Sequence, residues 1–146
     1  MPYFDSAYVA KCYLPEPGHA AIVAFAEQGD HVATSLFART EVTGVFHRKL
    51  REGSLTAPEF REVLAQFQQD CRAGIWQFLP LSVEVVEAVV QTYATLPRSL
   101  FLRAADCLHL VTAREAGFAE IYSNDRHVLA AASHFALQGI DLISRP

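Results

Sequence analysis

The chain has 146 residues, of which 51% are hydrophobic and 19% are charged, and its formal net charge is −4. This composition is that of a globular protein with a sizeable core, and it excludes a disordered chain or a strongly basic nucleic-acid binder. Charges interrupt every apolar run before it reaches the length of a membrane span, and the N-terminus lacks the basic and apolar regions of a signal peptide. We therefore expect one cytoplasmic domain, over residues 1–146, without membrane association.

Strand-like and helix-like patterns alternate along the chain. Short apolar or β-branched runs predict strands at about 2–5, 31–34, 76–81, 120–123 and 141–144. Helical periodicity, with breaks at Pro and Gly, predicts helices after the first strand, at about 17–28, 36–51, 56–71, 82–96 and 101–116, and briefly after residue 125. Thr56 and Glu59 form a capping-box pattern, and Ser82 is a second predicted cap. Strands that alternate with helices imply a parallel sheet covered on both faces.

Four carboxylates occupy positions that such a sheet brings to one edge. Asp5 ends the first strand, and Asp125 follows the fourth. Glu41 and Asp106 fall early in the helices predicted at 36–51 and 101–116. Because crossover helices begin near the carboxyl ends of parallel strands, we expect all four acids at the same end of the molecule, where open α/β sheets place their sites.

Each acid also has a simpler explanation when it is taken alone. Asp5 and Asp125 are good helix caps, Asp106 can pair with Arg103, and Glu41 can face solvent. The helices around Glu41 and Asp106 are apolar, however, and an unpaired carboxylate is costly there. Convergence of four acids favours a site for a hard cation, Mg²⁺ or Mn²⁺. Such a site suits phosphodiester hydrolysis, since the metal activates water and neutralises phosphate charge.

The segments around these acids resemble PIN-domain ribonucleases, most closely the VapC-like toxins of toxin–antitoxin pairs. The matching pieces, in order, are FDSAYVAK, ARTEV, RAADCLHLVTA and IYSNDRHVLAAA. The resemblance implies an α/β/α sandwich with a mostly parallel sheet, a Mg²⁺- or Mn²⁺-dependent endoribonuclease, a homodimer, and inhibition by a cognate antitoxin. It implies that the metal-binding and catalytic acids are Asp5, Glu41, Asp106 and Asp125. Candidate supporting residues around them are Ser6, Arg103, Ser123, Asn124 and Arg126.

Two other functions would use a similar pocket. A catalytically inactive RNA- or protein-binding module would keep the fold, but the presence of all four acids argues against it. A phosphoacceptor signalling domain requires an Asp at the end of the third strand and a later Lys. The third strand, WQFLPL, ends without an Asp, and no lysine follows Lys49. The signalling function is therefore excluded.

Three further features have structural interpretations. His109 and His127 are more typical of hydrogen-bonded packing residues than of ligands. The basic run HRKLR, residues 47–51, is typical of a solvated helix face, and a phosphate-binding role is the alternative. The apolar stripe of Phe60, Leu64 and Phe67 is compatible with a core position or with a partner groove. The identity of the RNA and the number of metal ions do not follow from the sequence.

Overall fold

A computed structural model describes residues 1–143 and shows a layered α/β fold. Its strands are β1 (Val32–Ser35), β2 (Trp76–Leu79), β3 (Glu120–Tyr122) and β4 (Gln138–Ile140). Its helices are α1 (Ser6–Lys11), α2 (His19–Ala26), α3 (Ala38–Arg51), α4 (Ala57–Ala73), α5 (Val83–Thr95), α6 (Ala104–Glu115) and α7 (Arg126–Ala131), followed by a 3₁₀ turn at Ala132–Phe135. None of the helices in this part of the chain is long and apolar enough to cross a bilayer.

A two-residue segment near the N-terminus, residues 3–4, joins the strands into one parallel array. Tyr3 bridges to Ala33 of β1, and Phe4 bridges to Tyr122 of β3. β1 pairs in parallel with β2, and β3 pairs in parallel with β4. The order across the array is therefore β2, β1, the central segment, β3 and β4. The predicted parallel sheet is confirmed, although its first strand is only two residues long.

Helices cover both faces of this array, because its side chains alternate between two apolar clusters. Tyr3 belongs to the cluster under α5, α6 and α7, whereas its neighbour Phe4 belongs to the cluster under α1, α2, α3 and α4. Ile121 and Tyr122 of β3 divide between the clusters in the same way. The result is the predicted three-layer α/β/α sandwich.

Strand order reverses at the central segment. The chain passes from residues 3–4 to β1 and β2 on one side, and then crosses back to β3 and β4 on the other side. At such a switch point the loops that follow neighbouring strands diverge, which opens a crevice at the carboxyl ends of the strands. Asp5 and Asp125 follow the central segment and β3, respectively, so both lie at this crevice.

Helix starts agree closely with the sequence. Thr56 and Glu59 form a reciprocal capping box at the start of α4, and Ser82 caps α5 by accepting a hydrogen bond from the N–H of Val85. The third strand stops at Leu79, two residues before the predicted end.

The prediction of a last strand at 141–144 is wrong. The strand is Gln138–Ile140, which pairs with β3, and Leu142 and Ile143 form a bend, while Ser144 lies outside the described residues. Asp141 accepts hydrogen bonds through its Oδ1 from the Tyr8 hydroxyl at 2.8 Å and from the N–H of Ile143 at 2.8 Å. A carboxylate that binds the backbone N–H two residues later is an Asx turn, and this turn ends the strand.

The stripe on α4 belongs to the core. Phe67 is only 2% exposed, and Phe60 and Leu64 are partly buried against the same apolar cluster. The ring of Phe67 packs against those of Tyr13 and Phe46, with centroids 5.3 and 5.9 Å away. Of the two interpretations, the structure favours the core position over the partner groove.

Candidate active site

One cleft of about 420 Å³ at the carboxyl edge is lined by all four predicted acids. Asp5 and Asp125 come from the loops after neighbouring strands, and Glu41 and Asp106 come from the first turns of α3 and α6. The remaining lining residues are Ser6, Ala7, Gly44, Val45, Arg48, Arg103, Ala105 and His109. The sequence argument from strand direction thus places the acids in the same cleft as the structure does.

Asp5 and Asp125 also cap the helices that follow them. Asp5 accepts a hydrogen bond through Oδ1 from the N–H of Tyr8 at 2.9 Å, and Asp125 accepts through Oδ1 from the N–H groups of His127 and Val128. Asp5 is 5% exposed. Burial raises its pKa, although hydrogen bonds from Ser123 and from the Tyr8 N–H oppose the shift. Capping and a role in the cleft are therefore compatible in these two residues.

Two side chains hold the carboxylate of Glu41 in place. The hydroxyl of Ser6 donates to its Oε1 at 2.6 Å, and Nε2 of His109 lies 2.8 Å from the same oxygen. Burial raises the pKa of Glu41, but hydrogen bonds from His109 and Ser6 outweigh it, so that the net shift is downward. Glu41 is consequently a fixed, ionised carboxylate in the wall of the cleft at neutral pH.

Arg103 connects the other two acids. Its Nε donates to Oδ2 of Asp106 and its Nη2 to Oδ2 of Asp125, each at 3.1 Å. The side chain of Arg103 is 65% exposed, and ion pairs this exposed typically contribute at most about 1 kcal/mol to stability. The predicted pairing of Arg103 with Asp106 is present. It also shows that two carboxylates of the cleft can share one cation.

The donor atoms of the cleft fit a hard divalent cation. They are carboxylate oxygens, which Mg²⁺ and Mn²⁺ prefer, and two of them already converge on the guanidinium of Arg103. Within residues 1–143, no three His, Cys, Asp or Glu side chains are gathered closely enough to hold a metal ion as they stand. A metal at Asp106 and Asp125 therefore requires Arg103 to release these carboxylates. Because Arg103 is exposed, breaking its ion pairs costs little free energy.

The other predicted residues divide into two groups. Ser6 and Arg103 line the cleft. Ser123 is fully buried behind it and accepts a hydrogen bond from the N–H of Asp125 at 2.9 Å, so it supports the loop that carries this acid. Asn124 and Arg126 are exposed and lie outside the lining of the cleft.

Two polar residues of the cleft were not among the predicted site residues. His109 lies three residues after Asp106 on α6, and Arg48 lies seven residues after Glu41 on α3. These spacings place each residue on the same helix face as its acid. That periodicity is the signal that could have identified both. Arg48 belongs to the basic run that was interpreted as a solvated face, and its side chain is 60% exposed at the mouth of the cleft.

The fold and the cleft together define a parallel α/β protein with carboxylates gathered at its topological switch point. The sequence profile of the PIN domain family matches residues 3–134. The chain therefore belongs to the PIN domain family. None of the curated proteins matches the chain significantly.

Solved structures share this fold at low sequence identity. FitAB bound to an IR36 DNA fragment superposes with a TM-score of 0.71 at 15% identity, covering 100% of this chain and 98% of that chain. VapC20 of Mycobacterium tuberculosis, a toxin that cleaves the sarcin–ricin loop, gives a TM-score of 0.70 at 13% identity, covering 90% and 95%. FitAcB from Neisseria gonorrhoeae gives 0.70 at 15% identity, covering 97% and 98%. At such identities the similarity establishes the fold alone.

Proposed function

We propose that the protein is a metal-dependent endoribonuclease that acts as the toxin of a toxin–antitoxin pair. The observation that carries this proposal is the convergence of Asp5, Glu41, Asp106 and Asp125 in one cleft at the switch point of the sheet. Membership of the PIN domain family and the fold shared with the sarcin–ricin-cleaving toxin support it.

The proposed metal site uses the carboxylates of the cleft. Asp5, Asp106 and Asp125 would hold Mg²⁺ or Mn²⁺, and Glu41 would complete the set. A bound divalent cation lowers the pKa of a water molecule and offsets the negative charge that develops on a phosphate. The cation also neutralises the buried carboxylate of Asp5, whose ionised form burial disfavours.

The chain's own residues position the reactants. Ser6 and His109 both contact Oε1 of Glu41. None of the described contacts involves the other carboxylate oxygen, Oε2, and this oxygen would orient the attacking water. Arg48 and Arg103 are cationic and exposed beside the acids, so they can contact the phosphates on either side of the cleaved bond. These two positive charges allow an acidic protein to bind a polyanion at this edge.

The first test measures metal-dependent cleavage. Purified protein, freed of any partner and of divalent metal by chelation, is incubated with a panel of structured RNAs with and without Mg²⁺ or Mn²⁺. We expect cutting only when metal is added, and its loss on renewed chelation. Stoichiometric Mn²⁺ binding without cleavage of any RNA would instead favour the alternative function, a catalytically inactive RNA- or protein-binding module.

Two protein partners belong to the proposal. The first is a cognate antitoxin, which would inhibit the enzyme in the cytoplasm. Two of the similar structures, FitAB, which is bound to a DNA fragment, and FitAcB, support a partner of this kind. The second partner is another copy of this chain, because α5 presents an apolar stripe to solvent while its opposite face packs on the core.

Dimerisation through α5 is testable by mutation. Its stripe consists of side chains that are between 40% and 73% exposed, namely Val83, Val86, Val90 and Tyr93. Exposed apolar patches of this kind typically mark interfaces. We expect Val86→Lys together with Val90→Lys to convert a dimer into a folded monomer, as measured by light scattering after size exclusion. Ile75→Lys, at an equally exposed apolar residue before β2, is the matched control and should leave the dimer intact.

The outcome is decided by molar mass. A dimer that persists at micromolar concentration in the double lysine variant would contradict the α5 interface. Dissociation by Ile75→Lys as well would show a general effect of added charge rather than a specific contact.

A further inference from the structure

A buried hydrogen-bonded chain lies beneath the cleft. Tyr3 is fully buried, and its hydroxyl lies 2.9 Å from Nδ1 of His109. His109 is 2% exposed, and its Nε2 lies 2.8 Å from Oε1 of Glu41 and 2.8 Å from the hydroxyl oxygen of Ser6. The chain thus runs from the central segment of the sheet, through α6, to the acid on α3.

The chemistry of the partners fixes the direction of these hydrogen bonds. A carboxylate can only accept, so the Nε2 of His109 must carry the proton that it shares with Glu41. In a neutral imidazole the other nitrogen is then an acceptor, and the hydroxyl of Tyr3 donates to Nδ1. The carboxylate of Glu41 thus selects the tautomer with the proton on Nε2, and the Tyr3 hydroxyl supplies the hydrogen bond that the other, buried ring nitrogen needs.

We propose that Tyr3 and His109 are positioning residues for Glu41: the Tyr3 hydroxyl donates to Nδ1 of His109 and holds its ring in place, and the Nε2–H of that ring holds the Glu41 carboxylate in the cleft. The inference rests on the proposed function, in which Glu41 completes the metal site. His109 acts through Glu41 and does not contact the metal or the RNA.

The need for such support follows from the position of Glu41. It is a long side chain in the first turn of α3, and its own side chain is 24% exposed, so it could rotate towards solvent. Fixing a Glu rotamer costs side-chain entropy. Charge-assisted hydrogen bonds from His109 and Ser6 offset that cost before any metal binds.

The first measurement determines the tautomer directly. Long-range ¹H–¹⁵N correlation spectra of the metal-free protein are recorded at about pH 8.5, well above the ordinary pKa of imidazole. We expect the His109 ring in the wild type to show the Nε2–H pattern. In Tyr3→Phe, whose ring still fills the core, we expect the same tautomer but a shifted Nδ1 resonance, because this nitrogen has lost its hydrogen bond. A pure Nδ1–H pattern in the wild type, or no change in Tyr3→Phe, would overturn the inference.

The second measurement is Mn²⁺ affinity, determined by calorimetry. His109→Leu removes the donor, whereas His109→Gln keeps an N–H close to the position of Nε2. We expect Mn²⁺ binding about 10- to 100-fold weaker in His109→Leu, as is typical when a group supporting a metal ligand is lost, and rescue towards the wild type in His109→Gln. Thermal unfolding of the metal-free proteins verifies that each variant is folded. If His109→Leu does not fold, the comparison of Tyr3→Phe with the wild type decides.

A double-mutant cycle separates positioning from packing. Tyr3→Phe should weaken Mn²⁺ binding in the wild type but have little effect in His109→Leu, because the imidazole through which Tyr3 acts is then absent. Equal effects in both backgrounds, or equal Mn²⁺ affinity in the wild type and His109→Leu, would overturn the inference while leaving the metal site intact. Absence of Mn²⁺ binding in the wild type would instead overturn the proposed function, and the inference with it.

Discussion

Replacing Asp106 by Asn is expected to lower the rate of metal-dependent RNA cleavage by about 100-fold or more without unfolding the protein. A bound metal supplies several kcal/mol of charge stabilisation in the transition state, and each 1.36 kcal/mol corresponds to a tenfold change in rate. An amide is isosteric with the carboxylate but carries no charge, so it weakens the metal site and keeps the shape of the cleft. The measurement is cleavage of the preferred RNA under single-turnover conditions with saturating Mn²⁺.

Asp106 is the most informative of the four acids because its described contact is only the exposed ion pair with Arg103. Asp5 and Asp125 accept hydrogen bonds from helix N–H groups, so their loss combines effects on the site with effects on helix capping. The matched control is Asp30→Asn, an exposed acid at the opposite edge, which should cleave like the wild type. Cleavage by Asp106→Asn at the wild-type rate would refute the proposed role of this acid.

The acids could be placed from the sequence because their location depends on topology alone. Parallel strands share a direction, so a residue that follows a strand and a residue in the first turn of a crossover helix reach the same edge without knowledge of side-chain contacts. No further information was needed to place the four acids, Asp5, Glu41, Asp106 and Asp125. The prediction held although the first strand proved to consist of two residues, since its hydrogen bonds to β1 and β3 fix the same direction.

The last strand could not be placed, because its position depends on tertiary contacts. DLIS has the β-branched and apolar content of a strand, whereas QGI contains a glycine and a glutamine. Pairing with β3 selects QGI, and the hydrogen bond from Tyr8 to Asp141, 133 residues apart in sequence, ends the strand there. Intrinsic propensity was outweighed by contacts that no local pattern contains.

The contacts of His109 could not be predicted for a similar reason. A single histidine on an apolar helix is usually a packing residue, and His109 is indeed buried. Its connection to the cleft depends on Tyr3, which is 106 residues away in sequence, and on Glu41, which is 68 residues away. Local periodicity places His109 beside Asp106, but only the fold adds these two partners.

Replacing Phe67 by Ala is expected to destabilise the protein by about 3–5 kcal/mol, the usual cost of removing a buried phenylalanine. Its ring contacts those of Tyr13 and Phe46, and Phe46 lies on α3, the helix that carries Glu41. Such a loss is a large fraction of the 5–15 kcal/mol by which domains are typically stable. The measurement is the free energy of unfolding in urea, together with the unfolding slope, which should not change.

Phe60→Ala is the matched control, because it removes the same side chain from the same helix one heptad earlier. Phe60 is only partly buried and meets the ring of His47 at 6.2 Å, so its loss is expected to cost about 1 kcal/mol. Equal destabilisation by the two substitutions, or a cost below about 1 kcal/mol for Phe67→Ala, would contradict the core position of the stripe. It would favour the interpretation of the stripe as a partner groove. A large difference between the two variants is expected because Phe67 lies in the core.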